Sequence, residues 1–212
     1  MRVQFLENPH LLSKPKGAKE HEMRIGIFGL PNSGKSQFRR WLVGRMHEAG
    51  GQVEHWDADR FKKARCPEDA DMREPADEPG VIWVIEDVRG TVPHKSVIQP
   101  GEKEGAWKPL SFYNLVYYLN PDWSTYAAFW VSRALQWKKL GAGNWMRESG
   151  WENLDDEEII LRKVQYFLAG REAWIKEDMA VLSRITHPLV ISITPVWKAD
   201  GEIEWQGLTW PK

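Results

Sequence analysis

The most constraining feature of the chain lies between residues 24 and 36. A short apolar run, Arg24 to Phe28, leads directly into Gly29-Leu30-Pro31-Asn32-Ser33-Gly34-Lys35-Ser36, and an amphipathic stretch follows. The eight residues match G-x-x-x-x-G-K-[ST] in full. In such a segment, glycines let the backbone curl so that consecutive N–H groups point inward at phosphate oxygens. The helix that follows adds the positive end of its dipole. A lysine at the position of Lys35 reaches the outer phosphates, and a hydroxyl at the position of Ser36 ligates Mg²⁺. A plain strand-to-helix turn has no need of that lysine and serine, so the segment reads as a phosphate loop for ATP and magnesium. Its nucleotide-binding residues are Gly29, Pro31, Asn32, Ser33, Gly34, Lys35, Ser36 and Gln37.

The rest of the pattern fits an α/β chain built around that loop. Phe38, Trp41, Leu42, Met46 and Ala49 share one helical face after Lys35, and Gly50-Gly51 stops the helix. Gln52 to Asp57 reads as a second strand. Val81 to Ile85 is a continuous apolar run of the kind covered on both faces in parallel sheets, and it ends in Glu86-Asp87. Leu115 to Leu119 reads as a fourth strand, with a helix through Phe112 to Leu119 as the alternative. A helix starts at Asn120-Pro121 and reaches about Leu140, and a long helical region spans Asp155 to Ile185 with a bend at Gly170. Leu189 to Thr194 is a fifth strand, and Trp197 to Trp205 reads as a hairpin turning at Asp200-Gly201. The expectation is a three-layer P-loop NTPase fold with a parallel five-stranded sheet, a helical lid region and a C-terminal β-hairpin. Residues 1–22 read as a flexible lead-in, 23–212 as one domain, and about 89–150 as the lid and substrate region.

Composition narrows the function classes. The 212 residues carry a formal net charge of −1, which demands neither nucleic acid nor a membrane as partner. The single cysteine, Cys66, forbids an intrachain disulfide. No run approaches the roughly 20 apolar residues of a membrane span. A cytoplasmic protein without membrane partners is expected. Thirteen tryptophans are an unusual number, and Trp107, Trp123, Trp130 and Trp145 are candidates for a base-stacking wall, with Trp130 better suited to the core.

The segment Asp57-Ala58-Asp59-Arg60-Phe61-Lys62 resembles the D-x-D-x-x-R segment that ends the second strand of adenylylsulfate kinases, and polynucleotide 5′-hydroxyl kinases have a related aspartate and basic residue there. The resemblance implies that Asp59 orients the acceptor hydroxyl and takes its proton, with Lys35 as the other catalytic group. It places Asp57, Arg60 and Lys62 at the substrate, with lysine at 62 where those kinases usually carry arginine; Arg60 is the alternative. Asp87, at the end of the third apolar run, is the expected second Mg²⁺ ligand beside Ser36, and Arg89 a phosphate contact. Glu86, one residue earlier, is expected to face the other way. Arg133 and Arg147 are candidate lid arginines.

These features point to an ATP-dependent kinase that moves the γ-phosphate to a hydroxyl of a nucleotide, nucleoside or nucleic-acid substrate. An adenylylsulfate kinase-like enzyme, a P-loop switch and an ATP sensor without transfer remain alternatives. A GTPase is disfavoured because no N-K-x-D motif is present.

Overall fold

The computed structural model describes residues 23–57, 79–86, 113–183 and 189–209. Six strands form one sheet in the order β2-β3-β1-β4-β5-β6. They are β1 (Met23–Gly29), β2 (Gln52–Asp57), β3 (Val81–Glu86), β4 (Leu115–Leu119), β5 (Leu189–Trp197) and β6 (Ile203–Thr209). The first five are parallel, and β6 returns antiparallel to β5 at the edge. The hairpin expected at the C-terminus therefore widens the sheet to six strands. Its turn is closed by Lys198 N–H donating to the Glu202 carbonyl, with Gly201 at φ +85°.

Strand alternation divides the core. Ile25, Ile27, Val84, Leu115, Ile191 and Ile193 point to one face, where Phe38, Leu42 and Met46 of helix α1 (Lys35–Glu48) cover them. Phe28, Trp83, Ile85, Val116, Tyr118 and Val190 point to the other, where they meet Leu182 and Met179 of the long helix α4 (Asp156–Leu182). Helices on both faces bury the central strands on each side, which is why those strands read as unbroken apolar runs.

Between β4 and β5 the chain forms α2 (Trp123–Lys139), the short α3 (Gly143–Met146) and α4. Asp122 caps α2 by accepting from Thr125 N–H at 2.7 Å. Pro121 thus precedes the cap and does not open the first turn. Trp130 is buried and stacks on Phe167 with centroids 4.4 Å apart, which joins α2 to α4 and places this tryptophan in the core. Helix α4 runs without interruption through Gly170. A Cβ there would meet the Trp174 ring at 2.4 Å, so the glycine makes room for an indole folded back over its own helix, not for a bend.

Among the described residues, no helix is long and apolar enough to cross a membrane.

Candidate functional site

Strand β1 is central, with β3 on one side and β4 on the other, so its carboxyl end opens at the middle of the sheet edge. In open α/β sheets that edge is where ligands bind. The loop from Gly29 to Ser36 leaves β1 at this point and needs unusual backbone angles: φ +141° at Gly29, +60° at Asn32 and +92° at Gly34. At Gly29 the requirement is also steric, because a Cβ would sit 2.6 Å from the Leu119 carbonyl oxygen and 2.7 Å from Ser33 Oγ. The turn is closed by Ser33 N–H donating to the Leu30 carbonyl at 3.1 Å. Gly34 is the N-cap of α1 and makes no side-chain cap hydrogen bond; Gln37 N–H turns back to the Gly34 carbonyl at 3.1 Å, and a helix start without a side-chain cap can take an exogenous anion.

Three side chains complete the loop. Lys35 Nζ donates to the carbonyls of Gly29 and Leu30, each at 2.9 Å, so its ammonium lies back along the curl. Asn32 Nδ2 and Ser33 Oγ are buried without a hydrogen-bond partner, which is costly unless a ligand supplies one. Donors, a fixed ammonium and a helix N-terminus suit a phosphate chain. The loop is braced from α2: Tyr126 donates its hydroxyl to the Pro31 carbonyl at 3.1 Å, Leu30 packs with Tyr126 and Trp130, and Phe129 lies against Gly34.

A charged group adjoins the loop. Ser36 Oγ donates to Glu86 Oε1 at 2.7 Å. Arg39, one turn further along α1, places Nη1 3.6 Å from Asp57 Oδ2 and Nε 3.6 Å from Glu86 Oε2, all three side chains being about nine-tenths buried. Asp57 and Glu86 are neighbours in register at the carboxyl ends of β2 and β3. Burial pushes the Glu86 carboxyl above its ordinary range, Lys35 pulls it back, and Asp57 raises it further. Among the described residues, no group of three or more His, Cys, Asp and Glu side chains gathers into a metal cage. A hydroxyl and a carboxylate nonetheless form the hard-oxygen set that Mg²⁺ accepts while keeping waters and substrate phosphates. Ser36 and Glu86 therefore fit a magnesium ion, and Glu86 Oε2 lacks a hydrogen-bond partner.

The expected site residues are distributed as follows. Gly29, Pro31, Asn32, Ser33, Gly34, Lys35, Ser36 and Gln37 form the loop and the first turn of α1. Asp57 lies beside them. Asp59, Arg60, Lys62, Asp87, Arg89 and Trp107 lie outside the described residues. Glu86 does not face away: it alternates with Ile85 and so shares the α1 side of the sheet with Val84. Arg133 is exposed on α2. The Arg147 guanidinium donates to the carbonyls of Trp151 and Leu154 at 2.9 and 2.7 Å and pairs with Asp156 at 3.0 Å. It holds the turn between α3 and α4. Trp123 is 51% exposed at the start of α2, as a stacking surface requires, and Trp145 lies in α3.

Two cations escaped the sequence reading. Arg39 falls in the buried stripe 35-38-39-42-46 of α1, and a charge at such a position is a legible signal of a partner across the interface. Arg171, on α4, donates to the Pro121 carbonyl at 2.5 Å and lies over the rings of Trp123 and Tyr126 at 5.9 and 5.6 Å. No local pattern marks it.

No family model matches the chain, and no curated protein matches it.

Proposed function

We propose that the chain is an ATP- and Mg²⁺-dependent phosphotransferase that moves the γ-phosphate to a hydroxyl of a nucleotide, nucleoside or nucleic-acid acceptor, within a P-loop kinase fold. The observation that carries this reading is the joint geometry of the 29–36 loop: a curled backbone at the end of the central strand, the Lys35 ammonium laid along it, and Ser36 against Glu86 of the next strand.

Phosphoryl transfer needs positioning and charge neutralisation more than covalent chemistry. The loop N–H groups and Lys35 would hold the triphosphate. Ser36 and Glu86 would hold a magnesium ion, which would supply charge neutralisation to the phosphates. Asp59, two residues beyond Asp57, is the proposed base that orients the acceptor hydroxyl; Arg60, Lys62 and Arg89 are proposed substrate contacts and Asp87 a further metal contact. The Trp123 face is a proposed surface for a base.

The test uses γ-labelled ATP, Mg²⁺ and a panel of nucleosides, nucleotides, 5′-hydroxyl oligonucleotides and adenylylsulfate. Label on one acceptor supports transfer and names the substrate. Phosphate release without labelled acceptor points to a switch. ATP binding without turnover points to a sensor.

A further inference from the structure

The triad Arg39, Asp57 and Glu86 has a charge balance that the phosphotransferase reading does not use. Two carboxylates end adjacent strands as register neighbours, so they face the same side one strand spacing apart. Like charges so placed in a buried site repel, and each has lost hydration. Arg39 sits between them and offsets one of the two negative charges.

The contacts are those of charge compensation, not of a rigid fork. Both pairs are 3.6 Å long, and Arg39 Nη1 and Glu86 Oε2 are buried without a hydrogen-bond partner. Bidentate arginine–carboxylate pairs that fix geometry sit closer than this, at about 2.7–2.9 Å. An ion held by attraction at this range occupies the space where a cation is wanted. Glu86 also accepts from Ser36, so the hydroxyl marks one side of the cluster, and the guanidinium lies against both acids.

We propose that Arg39 is a built-in counter-cation: it occupies the Asp57 side of the carboxylate pair, so that the site admits one divalent cation, brought in with the nucleotide, instead of binding one on its own. Arg39 is thus a positioning residue. The inference rests on the phosphotransferase reading for the arrival of the cation with nucleotide, but the counter-cation role is tested without nucleotide.

The experiment measures Mn²⁺ binding to nucleotide-free protein by electron paramagnetic resonance, with thermal unfolding in the presence and absence of Mn²⁺. Wild type and Arg39→Lys, which keeps the charge, bind Mn²⁺ weakly. Arg39→Met removes the guanidinium charge from beside the two carboxylates and binds one Mn²⁺ about tenfold tighter or more, because affinity at oxygen-donor sites follows ligand charge. The double variant Arg39→Met/Asp57→Asn returns to weak binding. If Arg39→Met unfolds in metal-free buffer, rescue by Mn²⁺ or by Asp57→Asn supports the role. Arg39→Met that binds Mn²⁺ no better than wild type, or that neither change rescues, overturns it. Failure of ATP to bind the wild type would sink the phosphotransferase reading and leave this comparison intact.

Discussion

Asp178 offers a quantitative test of how the core beside the loop is built. It is 1% exposed on α4 and accepts the Tyr118 hydroxyl from β4 at 2.5 Å. Burial pushes its carboxyl from 3.8 up to about 7, against the pull of the Tyr118 hydrogen bond; the charge of Glu177 adds to the rise and Lys35 opposes it. A pKa raised on folding means that the native state holds the proton more tightly than the unfolded chain. Its contribution to stability is therefore complete below the unfolded pKa and is lost as pH rises through about 7. A difference of about three pKa units corresponds to about 4 kcal/mol between those limits. Asp178→Asn removes the titration. Its amide oxygen still accepts from Tyr118, but its buried NH₂ costs about 1–3 kcal/mol for want of a partner. The stability curves of the two proteins must then cross. By urea unfolding, the variant is less stable than wild type near pH 4 and more stable by about 2 kcal/mol near pH 8, the difference of the two figures above. Parallel curves, with one constant gap across that range, would refute the reasoning.

Other substitutions separate the parts of the site. Gly29→Ala forces a Cβ to 2.6 Å from the Leu119 carbonyl oxygen, which is backbone and cannot step aside; a loss of about 3 kcal/mol or more is expected from the urea midpoint. Arg147→Met leaves the carbonyls of Trp151 and Leu154 and the Asp156 carboxylate without their donor. That costs about 2 kcal/mol, yet the rate of phosphoryl transfer stays unchanged if these contacts are its whole role; a large fall in kcat at retained fold would assign Arg147 the lid role. Asp59→Asn is expected to slow transfer by about 100-fold or more while ATP affinity, read by calorimetry, is largely kept; transfer at the wild-type rate removes Asp59 as the base.

The central strands were legible because their burial is extreme. Leu115–Leu119 carries the bounds expected from its apolar run, since a strand covered on both faces leaves little polar interruption to blur an end; Gln52–Asp57, at the sheet edge and half exposed, also has its expected bounds, fixed by Gly50-Gly51 before it. Leu189–Trp197 is longer than its run suggested, because pairing with β6 carries the ladder past Pro195. The loop was legible because its function demands particular residues at fixed spacing. Glu86 was misread because alternation was counted from Asp87; counted from Val84, whose side chain meets α1, it gives the observed side. Arg39 carries no motif of its own, and its inward side is marked only by its apolar neighbours at 38 and 42. Arg171 and Asp178 meet their partners across more than 45 residues of chain, and no short-range pattern encodes such a meeting.

The central claim is that the 29–36 loop grips a triphosphate, and calorimetry with Mg²⁺·ATP and with magnesium tripolyphosphate on wild type and Lys35→Ala tests it most directly. The account predicts that both ligands bind the wild type and that Lys35→Ala weakens both by a similar factor, about tenfold or more, since a charge-assisted contact to phosphate is lost. Tripolyphosphate that fails to bind the wild type, or that binds Lys35→Ala equally well, would contradict it.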